Sequence, residues 1–505
     1  MPVRDGPYAT VFGVAIETKA PAAPTADPVL ERLHLLEPLT APLHPDPDTR
    51  ESLAEAAFVH AEALFDEVER GAPAPPDPGF DAIAAVPIGR DPVDPGTVFS
   101  LLVRHVDALG QSPHAPNFFG YIPGGNLFHS AIADFLAAVS NRYTGRFVAG
   151  PGAVRVECHV LRWLASVVGY PESCAGHLSS GGSIANLSAI VAAREAAKLR
   201  AEQFPRAVVY MTDQAHHCIP KGLRIAGLGE CPVRRVAMDA RYRMDPAALD
   251  LAVEEDARAG RIPWLIVATA GTTDTGAVDP LDAIADVAAR RRLWMHVDGA
   301  YGAMFALCGE GKEILRGLSR SDSVVLDPHK GLFVPYGVGA VLVKNETAMR
   351  EAHRFDASYI LDDDRRGEPV SPADVSPELS RPFRALRLWL PLLLLGTRPF
   401  EAALEEKLLL ARYAHRKLGE MPGIEVGPEP DLSIVLFRAY AGRPDADERN
   451  RLLLRAIEAD GRVFLSGTRI AGKRYLRLAV LASRTHREQV DRAIEVIREK
   501  AASLA

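Results

Sequence analysis

Between about residues 150 and 345 the chain alternates short apolar runs with helix-length stretches of mixed character. The runs at 207–211, 264–268, 293–297, 324–326 and 340–343 read as strands and the spacers as helices. That alternation predicts an α/β fold: βαβ units, a mostly parallel sheet, and helices on both of its faces. From about 420 the pattern repeats on a smaller scale, with strands over 431–440 and 474–481 and helices over 445–459 and 485–502. A smaller C-terminal α/β domain follows from it. Residues 383–418 read as a long helix interrupted near Pro391 and Gly396, and 361–382, rich in charges and breakers, as a mobile loop. The first 110 residues are Pro-rich, then helical over 51–69 (Leu53, Ala57, Ala61, Leu64 and Phe65 on one face) and 98–109. They are too broken for a core of their own and read as a helical arm packed on something else, such as a second subunit. The expected division is 1–110 (arm), 111–390 (large domain) and 391–505 (small domain).

Composition narrows the class. About half of the 505 residues are apolar and the formal net charge is −7, which offers nothing to attract nucleic acid. The N-terminus shows no basic start followed by a long apolar core, so no signal peptide is expected. The longest apolar stretch, 388–395, contains Pro391 and is far too short to span a bilayer. The five cysteines (158, 174, 218, 231 and 308) lack metal-ligand spacing and suit a reducing cytosol, so a cytoplasmic protein without metal or membrane partner is expected. Cys218, after His216 and His217, reads as a buried inert thiol.

Candidate chemistry gathers at strand ends, where open α/β sheets place their ligands. The apolar run 324–326 is broken by Pro328 and Gly331, leaving His329 and Lys330 at its end; a lysine at the edge of a core loses solvation, deprotonates more easily and can form an imine. The stretch 179–186, Ser-Ser-Gly-Gly-Ser-Ile-Ala-Asn, leads into a helix with Ser183 as a natural N-cap, and its glycines and free N–H groups suit a phosphate. Alone it is equally an ordinary capped helix. His216 follows a strand and could stack on a planar ring or serve only its loop. Thr273, in Ala-Thr-Ala-Gly-Thr-Thr with Asp279 downstream, could orient a cofactor or cap a helix. Asp298 ends an apolar strand and needs a partner, since an unpaired buried charge is costly; a pyridinium N–H, an arginine or the next turn would each serve. In the loop 114–123, Phe118, Phe119 and Tyr121 either plug a core or face a substrate.

Taken together, His296-Val-Asp-Gly-Ala-Tyr301 and Asp327-Pro-His-Lys330 resemble the group II pyridoxal-phosphate decarboxylases of fold type I, whose members act on aromatic amino acids, histidine, glutamate or cysteine sulfinate. The resemblance runs from about His114 to Leu390 and more loosely beyond. It implies a large domain with a mostly parallel seven-stranded sheet flanked by helices, and pyridoxal 5'-phosphate as cofactor. Lys330, His216 and Asp298 would be catalytic: the Schiff-base lysine, the ring-stacking imidazole and the partner of the ring nitrogen. Gly182, Ser183 and His329 would hold the phosphate, while Thr273 and Ala300 line the site. The segment 141–151 and Glu157 would line the substrate pocket partly across a homodimer interface. The implied reaction takes a small L-amino acid to its amine and carbon dioxide. Phe118, Phe119 and Tyr121 suit an aromatic substrate, slightly favoured, whereas Arg142 or Arg146 would pair with an acidic one or form a structural ion pair. Two departures stand out. The family's proton-donating loop tyrosine is missing from 362–381, as in relatives that consume oxygen and release an aldehyde, so an oxidative decarboxylase-deaminase is the runner-up. Tyr359 or His216 could replace it. Asp327 stands where several relatives carry Asn, and a carboxylate beside a phosphate is expected to turn toward a donor. A non-catalytic binder of the cofactor is the third reading.

Overall fold

The computed structural model describes residues 27–70, 83, 86, 88–354 and 369–504. Its strands in chain order are β1 (Phe118–Phe119), β2 (Ala175–Ser179), β3 (Ala207–Met211), β4 (Val233–Arg235), β5 (Ile262–Thr269) and β6 (Trp294–Asp298). After them come β7 (Ser323–Leu326), β8 (Gly339–Val343), β9 (Ile424–Val426), β10 (Ile434–Ala439), β11 (Phe464–Ile470) and β12 (Lys473–Ala479). Seven form one sheet in the order β2-β8-β7-β6-β5-β3-β4. Strands β4, β3, β5, β6 and β7 pair in parallel; β8 runs antiparallel to β7 and β2 antiparallel to β8.

Both faces of this sheet are covered, which explains its unbroken apolar runs. Along β5, Ile266 and Ala268 pack with Leu249 and Ile284 of helices Pro246–Arg258 and Leu281–Arg291 on one face. Leu265 and Val267 pack with Ile190 and Ile219 of helices Gly182–Ala196 and Cys218–Ile225 on the other. Period-2 alternation along a strand thus feeds two separate cores. Because the central strands are parallel, the turns that follow β3, β5, β6 and β7 all open on the same edge, with Thr269 opposite Asp298 and Asp298 opposite Val325.

The second sheet has the order β1-β11-β12-β10-β9. It is antiparallel except for β1, which joins in parallel, with Phe118 opposite Phe464 and Phe119 opposite Leu465. Helix Arg398–Gly419 links the two cores: Phe400, Leu404 and Leu408 pack in the first, while Ala411, Ala414 and Leu418 pack in the second. Considered by itself, the N-terminal segment up to Leu64 contains helix Pro28–Thr40, capped by Asp27 on the Val29 N–H (2.9 Å) and without a buried residue. Among the described residues no helix is long and apolar enough to cross a membrane.

Three expectations change. Pro391 lies inside helix Leu386–Leu395 without interrupting it; the break falls at Gly396 (φ 70°), a conformation glycine adopts freely. Residues 369–382 are anchored where a mobile loop is predicted: the Phe147 N–H donates to Ser371 Oγ (2.9 Å), and Arg146 pairs with Asp374 (2.8 Å). The rest of that loop, with Tyr359, lies outside the described residues. Thirdly, the aromatic loop contributes a strand to the second sheet, so Phe119 is a fully buried member of that core.

Phe119→Ala should therefore cost about 3–5 kcal/mol of stability in denaturant unfolding, as for other buried aromatics cut back to alanine. Tyr121→Ala, two residues on but 56% exposed, should stay within about 0.5 kcal/mol.

Candidate active site

A cavity of about 390 Å³ lies at the edge where the turns after β3, β5, β6 and β7 converge. Gly182, Ser183, His216, Thr273, Asp298, Ala300, His329 and Lys330 all line it, residues drawn from five separate stretches of sequence. Also facing it are Asp327, expected beside the phosphate, Thr269 of the hydroxyl-rich stretch, and Asn186 and Cys218, to which the sequence assigns no cofactor role. For Asn186 a signal existed, since it lies one helical turn beyond Gly182.

The helix Gly182–Ala196 points its N-terminus at the cavity, and its first internal hydrogen bond is Ile184 N–H to Gly181 O (3.2 Å). The N–H groups of Gly182 and Ser183 thus precede the helical ladder and are available to an anion. Gly181, not Ser183, holds the cap position; Ser183 sits inside the first turn. The physical reason is crowding, since a Cβ on Gly339 would lie 2.7 Å from Gly181 Cα, and one on Gly182 would lie 2.9 Å from Asp327 Oδ2. No side chain fits at that crossing.

Lys330 Nζ lies 3.0 Å from Asp327 Oδ2, one helical turn back. Burial pushes the ammonium down, but Asp327 first and Asp298 next outweigh it, and the lysine ends above its ordinary range. Desolvation alone predicts the opposite, so the carboxylates correct the sequence-based expectation. Asp327 has found its donor in Lys330, yet its Oδ1 is buried without a hydrogen-bond partner.

Asp298, 5% exposed, accepts from the Ala300 N–H through Oδ1 (3.2 Å). Two residues earlier and on the same face of β6, His296 is fully buried in a polar chain. Trp294 Nε1–H donates to Ser323 Oγ (2.9 Å), which can therefore donate to His296 Nδ1 (2.8 Å). His296 Nε2–H then donates to Asn186 Oδ1 (2.7 Å), and Asn186 Nδ2 donates to Cys218 Sγ (3.3 Å). This order fixes one neutral tautomer, and burial holds the His296 pKa at about 4. His216 accepts the Cys218 N–H at Nδ1 (3.3 Å), and burial, opposed by Asp298, pushes its imidazole down. Burial also pushes the Cys218 thiol up, as an inert thiol requires.

The substrate candidates fare differently. Phe118 stacks on Phe464 (centroids 4.8 Å apart) and Phe119 is buried in the second sheet's core, so neither faces the cavity. Arg146 forms the ion pair with Asp374, the structural alternative for that residue. Arg142 is exposed. Glu157, with the 141–151 segment, does not line the cavity: it pairs with buried Arg381 (2.8 Å) and accepts the Leu178 N–H (3.1 Å). Tyr121 reaches the site indirectly. Its carbonyl and that of Thr273 both accept from Arg477 Nη2, while Arg477 Nε–H donates to Asp274 O (3.0 Å) and Nη1–H to Ser466 Oγ (2.8 Å).

Residues 101–440 match the family model described as the pyridoxal-dependent decarboxylase conserved domain. An aromatic-L-amino-acid decarboxylase of Bacillus atrophaeus is 36% identical over 404 residues, 79% of this chain and 83% of that protein. A phenylacetaldehyde synthase of Arabidopsis thaliana is 29% identical over 404 residues, 77% of this chain and 82% of that one. The solved structure of Oryza sativa TDC with PLP and tryptamine superposes with a TM-score of 0.86 at 28% identity, covering 91% of this chain and 99% of its own.

The buried imidazole has a measurable consequence. An unfolded histidine titrates near 6.5 while folded His296 titrates at about 4, so the unfolded chain binds the proton that the fold refuses. The stabilising effect of its neutral form is complete above pH 6.5 and is lost as pH falls toward 4. Unfolding free energies measured across that window should fall with acidity, and His296→Gln should lessen the slope by up to about 1.4 kcal/mol per pH unit.

Proposed function

The chain belongs to the pyridoxal-dependent decarboxylase family, a group of carboxy-lyases that use pyridoxal phosphate, and from that premise we propose that it converts an aromatic L-amino acid to its amine and carbon dioxide. One observation carries the reading: Lys330 and Asp298, on separate turns, line the same cavity.

The geometry fits the cofactor. The unladdered N–H groups of Gly182 and Ser183 would hold its phosphate, and His329, its Nδ1–H tied to Val338 O (2.6 Å), would flank it. Asp298 uses Oδ1 on Ala300, and among the described residues no hydrogen bond reaches its second oxygen, which would take the ring N–H. His216, Thr273 and Ala300 would flank the ring. Bound there, pyridoxal phosphate supplies an electron-poor ring that accepts the electron pair left when carbon dioxide departs. Lys330 would contribute the amine that holds the cofactor. Asp298 keeps a proton on the ring nitrogen, and the buried sheet edge keeps its carboxylate from bulk water. His216, which lines the cavity with Nδ1 occupied by the Cys218 N–H, carries its proton on Nε2 when neutral and could orient or return a proton. The aromatic substrate class is supported by the Bacillus relative's name.

A second product outcome has its own support. No tyrosine occurs in 362–381, and one similar protein is named a phenylacetaldehyde synthase. We also place the chain in a cytoplasmic homodimer with its active site near the interface and the N-terminal arm packed on the partner. The free state of all five cysteines supports the compartment, and exposed Leu30, Leu33, Leu35 and Leu39 on one helix support the partner.

Purified protein supplied with pyridoxal phosphate and each aromatic amino acid should release carbon dioxide and amine in equal amounts. Aldehyde, ammonia and peroxide with oxygen uptake would replace this reading by the oxidative one. Lys330→Ala should abolish turnover, and residual turnover in that variant would defeat the assignment. Light scattering should give twice the mass of one chain.

A further inference from the structure

Asp327 is an unusual neighbour for a phosphate site. It is 2% exposed, with Oδ2 3.0 Å from Lys330 Nζ and Oδ1 lacking any hydrogen-bond partner. Two glycines leave it room: a Cβ on Gly182 would lie 2.9 Å from Oδ2, and one on Gly339 would lie 2.6 Å from Oδ1. The carboxyl group is therefore wedged directly beneath the helix start whose N–H groups face the cavity. A carboxylate fixed there is tolerable while the Lys330 ammonium neutralises it. Once the lysine nitrogen is engaged by the cofactor and a phosphate occupies the helix start, the carboxylate would lie beside an anion with its counter-charge gone.

Resting on the cofactor reading above, we infer that Asp327 is the proton store of the site: it holds the Lys330 ammonium in the cofactor-free protein, then keeps that proton so that a neutral carboxyl lies beside the bound phosphate. The transfer is balanced within the pair. A proton leaves Nζ and adds to Oδ2, the ammonium becomes a neutral amine, the carboxylate becomes a carboxylic acid, and nothing is exchanged with solvent. A single proton movement both frees the nucleophile and removes the repulsion. The acid O–H, moreover, is a donor that a phosphate oxygen can accept.

The other titratable groups facing the pair leave this role to Asp327. His329, whose Nε2 is 3.7 Å from the same oxygen, and His216 are both pushed toward the neutral form by burial. Cys218 is held as a thiol by burial. Asp298 already accepts from Ala300 through one oxygen, and its other oxygen is the one assigned above to the ring N–H.

The test compares the cofactor-free wild type with Asp327→Asn, which has the shape of the protonated acid but cannot ionise. Dissociation constants for pyridoxal 5'-phosphate and for pyridoxal, which has no phosphate, are read from the visible absorbance of bound ligand across mildly acidic to alkaline pH. Freeing Lys330 from its carboxylate affects both ligands, so the phosphate effect is the excess of one gain over the other. Because a neutral carboxyl and an amide meet the phosphate with the same charge, Asp327→Asn should change the affinities for pyridoxal phosphate and for pyridoxal by the same factor. A gain for pyridoxal phosphate about tenfold larger than that for pyridoxal, roughly the scale of one pKa unit, would mean that an ionised carboxylate stays beside the phosphate and would overturn the inference while leaving the cofactor reading standing. Failure of the wild type to bind pyridoxal phosphate at all would remove the cofactor reading and this inference with it.

Discussion

The parallel register of β5, β6 and β7 is the constraint on which the rest depends. It sets Thr269 against Asp298 and Asp298 against Val325, so that three turns distant in sequence end at one level. Strands in this position must be buried on both faces, and helices are packed on each side. Only the turns remain to carry polar chemistry. The charges gathered there, two carboxylates and one ammonium, share a cavity walled by apolar strands, where each acts strongly on the others. The elevated lysine, the neutral imidazoles and the protonated thiol all follow from that enclosure.

Much of this was legible in the residues because buried parallel strands are unbroken apolar runs. Strand β3 matches the expected 207–211 run, and β5 to β8 differ from theirs by a residue or two. The strands that escaped notice are those whose pattern is diluted. β2 contains glycine and histidine, β4 is a three-residue edge with two arginines, β9 is a three-residue edge with a glutamate, and β11 mixes serine, glycine, threonine and arginine. β1 escaped for another reason: two phenylalanines in a turn-rich loop carry no periodicity, and only their long-range pairing with β11 makes them a strand.

At the site, residue type and strand-end position sufficed to find the cavity's walls, because those depend on local order along the chain. What could not be read was pairing between distant side chains. Arg146 finds Asp374 across more than two hundred residues, and Glu157 finds Arg381 likewise. The direction of the Lys330 shift turned on the same limitation. Burial of a lysine is visible as an apolar neighbourhood, but whether two carboxylates outweigh it depends on where their oxygens point.

Arg477 is 3% exposed, and its guanidinium is met by three backbone carbonyls and a hydroxyl and, among the described residues, by no carboxylate. It belongs to the second sheet, yet two of those carbonyls, on Thr273 and Asp274, come from the turn after β5. Swinging the two layers apart would strip a desolvated cation of half its hydrogen bonds at a stroke, each of a kind worth about 1.5–3 kcal/mol. That seam is consequently a latch, which ties the position of the turn after β5 at the cavity to the second sheet.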